Sequence, residues 1–183
     1  RIDGKGNEKW PEPRIINGEK KKVLHAALDD TISDNGQLFI FVNSRKSSQK
    51  EARELSKHIL NRVNNELNFG NGDRYVKLNK VSESINQNEN SSPLGKKLSN
   101  SVKGGIAFHH AGLSNQQRKN IEELFKSGDL FCIVATPTLA QGVNLPARRG
   151  IIRDVKRWSA AASRNMPMPI MEIKQMLGRA GRP

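Results

Sequence analysis

Three short apolar runs, Leu38-Phe39-Ile40-Phe41-Val42, Gly105-Ile106-Ala107-Phe108 and Leu130-Phe131-Cys132-Ile133-Val134, lack the polar alternation of a strand with one wet face. Runs of this kind suit strands covered on both sides, the condition of a parallel sheet. A fourth, Ile151-Ile152 with Val155, is more broken by charge. Helical patterns lie between the runs. Ser48-x-x-Glu51 reads as a capping box, after which Ala52, Leu55, Ile59, Val63 and Leu67 recur at helical spacing. Ser114-x-x-Gln117 is a second such box, followed by Ile121, Leu124 and Phe125, with Gly128 placed as a stop. Strand, helix, strand, helix, strand predicts an α/β fold built on a parallel sheet with crossover helices.

Other stretches decorate this frame within one domain, 1–183. The Asn- and Ser-rich interval 68–104 is too long for a simple connection and reads as a helical insertion. Ser92-Pro93 starts a helix carrying Leu94, Leu98 and Val102, and Gly104-Gly105 ends it. Residues 1–37 form a lead-in, extended at Trp10-Pro11-Glu12-Pro13 and helical around Val23, Leu24 and Leu28. In the interval 148–168, Arg149 to Trp158 is strand-like, Ser159 to Asn165 is a turn-rich tip, and the chain returns through Pro167.

Charge narrows the class of partner. The 183 residues carry 31 Lys+Arg against 18 Asp+Glu, a formal net charge of +13. Residues 148–183 hold nine basic and two acidic side chains, so more than half the excess lies in the last fifth of the chain. A localised basic stretch favours a polyanionic partner. The single cysteine, Cys132, excludes a disulfide scaffold and a Cys-based zinc site, and its apolar run reads as core. No apolar run approaches the roughly 18 residues of a membrane span, and no signal-peptide pattern opens the chain, so a reducing, cytoplasmic setting without membrane contact is expected. The chain does not begin with Met, and we expect it to be part of a longer protein.

Polar groups cluster where each apolar run ends. Asn43-Ser44-Arg45 follows the first, His109-His110-Ala111-Gly112-Leu113 the second, and Thr136-Pro137-Thr138-Leu139-Ala140-Gln141-Gly142-Val143-Asn144 the third. The carboxyl edge of a parallel sheet is where α/β proteins bind ligands. A further helix is predicted from Ile170 to Arg179, with Pro169 suited to its first turn. Spacings of four and three put Gln175, Arg179 and Arg182 on one face if the helix continues. Two guanidiniums a turn apart suit phosphate oxygens.

This succession resembles the second RecA-like domain of superfamily-two helicases. Val134-Ala-Thr-Pro-Thr-Leu-Ala-Gln-Gly-Val-Asn144 looks like motif V, and Gln175-Met-Leu-Gly-Arg-Ala-Gly-Arg-Pro183 like motif VI. Phe108-His-His-Ala-Gly-Leu113, with Phe41-Val-Asn-Ser-Arg45 before it, narrows the resemblance to the Ski-type group, and within it to archaeal replication-fork DNA helicases. The resemblance runs from about Trp10 to Pro183. It departs at Gln141, where relatives often have alanine, and at Leu177, which replaces a small residue; neither change removes a ligand atom.

The resemblance implies a RecA-like parallel sheet flanked by helices, and a role for each matching position. Arg179 and Arg182 match arginines that reach across a cleft to ATP with Mg²⁺, bound mainly by a preceding first RecA-like domain, and Gln175 matches a glutamine on that phosphate side. Gly142 and Asn144 match motif V positions that couple nucleotide to nucleic acid. Thr136 matches a threonine on the nucleic-acid backbone, and Ser44, Arg45 and His110 lie along the same track. The interval before motif VI carries in these relatives a β-hairpin that wedges the duplex junction, which would place Arg157 and Trp158 at a DNA fork; the other reading of Trp158 is a surface-loop side chain packed on its own domain.

What is missing bounds the mechanism. A phosphate-cradling Gly-x-x-x-x-Gly-Lys-Ser/Thr loop does not occur: Lys96-Lys97 after Gly95 lacks the upstream Gly and the hydroxyl. Asp29-Asp30 follows a helical pattern rather than a strand, so it does not read as a Mg²⁺-holding acidic motif. The chain alone is therefore expected not to hydrolyse ATP, and to serve as the second motor domain of an ATP-dependent 3′–5′ DNA helicase. Two adjacent histidines on a strand point to opposite faces, so His109 and His110 do not make a metal site. A Ski-type RNA helicase domain, a non-catalytic basic nucleic-acid module and a module for an acidic protein partner remain open at this point.

Overall fold

The apolar runs form the strands they predict. In the computed structural model, which describes residues 22–65, 72–88, 92–137, 139, 145, 147–160 and 162–178, β1 (Leu38–Phe41), β2 (Ile106–His109) and β3 (Cys132–Ala135) are buried at every position. With β4 (Arg149–Ile152) they make one sheet in the order β2-β3-β1-β4. All three pairings are parallel, with Phe39 opposite both Ile133 and Gly150. The α/β architecture, a parallel sheet flanked by helices, is thus as expected.

Side-chain partners fix which helix covers which face. Phe125 of α5 (Asn115–Lys126) stacks on Phe39, with ring centroids 4.8 Å apart. The opposite face meets α2 (Arg45–Asn65), whose Gln49 reaches His110. The chain runs from β1 past β3 to β2 and then turns back to β3. That reversal is what sends right-handed crossovers to opposite faces. The capping box at Ser114 forms as expected: its hydroxyl accepts from Gln117 N–H, and the Gln117 side chain accepts from Ser114 N–H. Gly128 ends α5 at φ +79°.

The other helical expectation needs one correction. Ser48 does not cap α2. Ser44 stands before the helix, and its hydroxyl accepts the Ser47 N–H at 3.1 Å. Ser48 lies inside the first turn, with its hydroxyl donating to Arg45 O at 2.8 Å. The competing cap wins because it lies nearer the end of β1, where the chain must turn. Leu67 falls outside the described residues.

Among the described residues of the interval 68–104 lie two helices, α3 (Gly72–Asn88) and α4 (Pro93–Val102). Ser92 caps α4 by accepting Gly95 N–H. Inside the α3–α4 contact, buried Ser82 donates to Ser99 O at 3.0 Å. The other edge of α3 reaches the loop before β3, where the Arg74 guanidinium lies 4.6 Å from the Phe131 ring centroid and Lys77 pairs with Asp129. Within the lead-in, α1 (Val23–Ser33) is observed, whereas Trp10 to Pro13 lies outside the described residues. Arg149 of β4 pairs with Asp30 of α1 and with Asp34, which follows that helix, and Asp29 holds Arg62 at 2.7 Å and His58 at 2.9 Å.

A second correction concerns 149–158, which is not one strand. Residues 149–152 belong to the main sheet; β5 (Lys156–Ser159) and β6 (Arg164–Pro167) form a separate antiparallel hairpin. The break falls at Arg153-Asp154. Arg153 pairs with Glu51 and Asp154 at 2.7 Å each, while Asp154 accepts Asn43 N–H at 3.0 Å. These bonds turn the chain away from the sheet into the hairpin, which leads to α6 (Ile170–Leu177). No helix among the described residues is long and apolar enough to cross a membrane.

Candidate nucleic-acid interface and nucleotide edge

The parallel strands deliver their following residues to one edge, and there a cleft of about 300 Å³ opens. Its walls come from four places. Asn43 and Arg45 follow β1, Ala111 follows β2, and Thr136 and Pro137 follow β3; Arg157, Met168 and Glu172 close the far side from the hairpin and α6. Three of the residues expected to contact nucleic acid, Arg45, Thr136 and Arg157, thus line one cavity.

Each enters differently. Arg45 is exposed at the first turn of α2, with no ion pair to another described residue. Thr136 is buried, its backbone N–H held by His109 O at 3.2 Å and its carbonyl accepting Leu139 N–H at 3.1 Å. Arg157 is half exposed and bound to Glu172. Cationic groups beside a hydroxyl suit a phosphodiester, because backbone contacts position a strand without reading its sequence.

Two expected contacts sit elsewhere. The Ser44 hydroxyl is used by the α2 cap and also donates to Ser47 Oγ at 2.8 Å. The His110 ring is buried beneath the edge: its Nδ1 accepts Gly112 N–H at 3.0 Å, its Nε2 lies 3.2 Å from the Gln49 amide, and its face stacks on Phe108. His110 therefore holds the Ala111-Gly112 turn instead of facing solvent. A Cβ on Gly112 would come within 3.1 Å of that ring, a tight contact to which the ring would have to yield by a few tenths of an ångström.

His109 points the other way, to Glu122 of α5 at 3.3 Å, as strand alternation demands. Burial lowers the pKa of both imidazoles; Glu122 opposes the effect at His109, and the Arg45 charge reinforces it at His110. A folded-state pKa below the unfolded value near 6.5 means that the unfolded chain binds more protons. The stability these rings contribute is present above about pH 6.5 and is lost as pH falls through their depressed values. Melting temperature is thus expected to decline from pH 7 to pH 5. A flat profile over that interval contradicts it. Asp154 titrates in a separate, lower window: burial pushes its carboxyl up, but hydrogen bonds from Arg153 and Asn43 N–H outweigh this and hold it below the usual range.

Trp158 is 64% exposed. It pairs with Asn165 across the hairpin, one step from the last pair, Ser159 with Arg164. On α6, Gln175 is exposed and Met176 is buried against the core. Arg179, Arg182, Gly142 and Asn144 lie outside the described residues. Cys132 is buried, and burial pushes its thiol pKa up, which leaves it an inert core group.

The sequence pattern assigns no individual role to Asn43, Asp154 or Glu172. Asn43 donates through its side chain to Lys156 O at 3.1 Å, joining the first strand's loop to the hairpin. Asp154 and Glu172 are the only acidic residues among nine basic ones after position 147. Acids so outnumbered find cationic partners, and that imbalance was the available signal.

A family model described as the helicase conserved C-terminal domain matches residues 77–183, from within α3 through β2, β3, β4, the hairpin and α6. Three archaeal proteins named ATP-dependent DNA helicase Hel308 are similar over most of the chain. That of Pyrococcus horikoshii is 42% identical over 165 residues, 90% of this chain and 21% of the relative. Those of Methanocella arvoryzae and Caldivirga maquilingensis are 39% identical over 176 residues and 36% over 168, with 94% and 92% of this chain covered and 22% and 21% of the relatives. The chain spans about a fifth of the length of the curated relatives it matches.

Proposed function

Because the chain belongs to the helicase conserved C-terminal domain family, we propose that it is the second motor domain of an ATP-dependent 3′–5′ DNA helicase, which grips the nucleic-acid backbone and completes an ATP site held mainly by a first RecA-like domain. The observation that carries this reading is the convergence of Arg45, Thr136 and Arg157 on one cleft at the carboxyl edge of the sheet. The DNA preference follows the printed names of the relatives. Phosphate-directed contacts imply little sequence preference and an affinity that falls steeply with salt.

ATP with Mg²⁺ supplies the phosphoryl group whose loss drives the cycle. Among the described residues this chain offers that group an exposed amide, Gln175, which fits an accessory half-site and not a phosphate cradle. On this reading the cationic charge that meets the nucleotide comes from Arg179 and Arg182, and the coupling of nucleotide to strand from Gly142 and Asn144, all four outside the described residues. Arg157 and Trp158 stand on a hairpin whose exposed indole suits stacking on the terminal base pair of a fork, an interaction of about 1–3 kcal/mol per base. The chain alone is inactive as an ATPase on this reading, and the protein is cytoplasmic, at the nucleoid in an archaeal cell.

The deciding experiment is strand separation by the full-length protein on forked DNA and a matched RNA fork. Separation of DNA over RNA is expected, and Trp158→Ala should lower it more than it lowers DNA-stimulated ATP hydrolysis. Equal losses in both assays remove the wedge role. Absence of ATP-dependent separation on either fork removes the motor reading.

A further inference from the structure

One carboxylate stands inside the cleft among groups suited to phosphate. Glu172, in the first turn of α6, holds Arg157 Nη1 through both of its oxygens, at 3.0 and 3.1 Å. Arg45 shares the same cavity without an ion pair to a described residue, and Thr136 forms part of its lining. A carboxylate carries one negative charge on two equivalent oxygens, as a phosphodiester does on its two non-bridging oxygens. Glu172 therefore presents to Arg157 the chemistry of the ligand proposed for the cleft.

We propose that Glu172 is an internal stand-in for a nucleic-acid phosphate, holding Arg157 while the cleft is free of nucleic acid and yielding it when a strand enters. The inference rests on the reading of this cleft as a backbone site and adds a way to report occupancy. Arg157 belongs to β5 and Glu172 to α6, so their pair fastens the first turn of the helix that carries Gln175 to the hairpin. A phosphate that takes Arg157 loosens that fastening at the cleft. Magnitude favours exchange over a lock. The side chains are 49% and 20% exposed, so water reaches the pair and screens it. An arriving phosphate thus displaces Glu172 at small cost, whereas a fully buried pair would hold.

The test measures binding of a fluorescein-labelled oligothymidylate to the full-length protein by anisotropy at low salt. Glu172→Gln keeps the size of the side chain and removes its charge. It is expected to tighten binding about two- to fivefold, the worth of an exposed pair expressed as affinity. Its salt slope should stay close to that of the wild type, because Arg157 meets the same phosphate in both once the strand is bound. Arg157→Ala should weaken binding, and adding Glu172→Gln to it should then give no gain. An equal gain in both backgrounds makes Glu172 merely a repulsive charge, and no gain in either makes the pair merely a clamp; each overturns the inference while the backbone site stands. Failure of the wild-type full-length protein to bind the oligonucleotide overturns the proposed function and this inference together.

Discussion

Gly104→Ala is expected to lower the unfolding free energy by about 3 kcal/mol, the upper end of ordinary overpacking. A Cβ at this position would lie 2.5 Å from Ser56 Oγ, 2.7 Å from Ser56 O and 3.0 Å from Ser56 Cα. A hydroxyl can rotate away, but the carbonyl and Cα belong to the backbone of α2, which packs its Ala52, Leu55 and Ile59 into the core. Relief therefore requires moving α2 away from the end of α4 and loosening the Ser56 hydroxyl from Asn100 O. Gly128→Ala is the control. It has φ +79° but nothing within 4 Å of its Cβ, so it costs only left-handed strain, about 1 kcal/mol. Urea unfolding of both variants separates the two costs, and a Gly104→Ala midpoint no lower than that of Gly128→Ala contradicts the close approach.

The same pair of glycines shows what was legible in the sequence. Gly104-Gly105 was readable as the end of a helix, and α4 does end there, but only Gly105 has a positive φ, at +72°. The need for Gly104 comes from a helix 48 positions away in the chain, which no local pattern encodes. The three central strands were legible because burial on both faces leaves an uninterrupted apolar run. β4 was not separable from β5, because what divides them is a set of long-range bonds from Arg153 and Asp154 to Glu51 and Asn43. Ser48 and Ser44 satisfy similar capping patterns, and position relative to the end of β1 chose between them.

Charge was legible in amount and not in destination. Of the nine basic residues after position 147, Arg149 is held by Asp30 and Asp34, Arg153 by Glu51 and Asp154, and Arg157 by Glu172. Two of these, Arg149 and Arg153, fasten α1 and α2 to the edge strand and its exit, so the basic count overstates the charge offered to a polyanion. The cleft was foreseeable as an edge from the polar residues that follow each run, and Arg45, Thr136 and Arg157 meet in it. Burial of His110 was not foreseeable, since alternation along β2 says which face a ring takes and not how deeply that face is covered.

Arg182→Ala is expected to slow DNA-stimulated ATP hydrolysis by the full-length protein by about a hundredfold or more, the usual cost of removing one pre-placed group that meets developing transition-state charge. On the proposed function Arg182 reaches a phosphoryl group as its charge redistributes, so it acts on turnover far more than on binding. Strand affinity should stay within about twofold of wild type, because on the proposed function the phosphates of the strand meet Arg45 and Arg157. Gln175, seven positions earlier, lies exposed on α6 while buried Met176 seats that helix against the core. A helix so seated supplies a fixed base for groups that must meet a transition state. Arg182→Lys discriminates charge from shape: lysine restores the positive charge but not the planar fork that grips two oxygens at once, so turnover should remain at least about tenfold below wild type. Stopped-assay hydrolysis rates beside anisotropy with labelled single-stranded DNA give both readouts. Equal losses of affinity and turnover in Arg182→Ala make Arg182 a strand contact and return the nucleotide side of the domain to Arg179 alone.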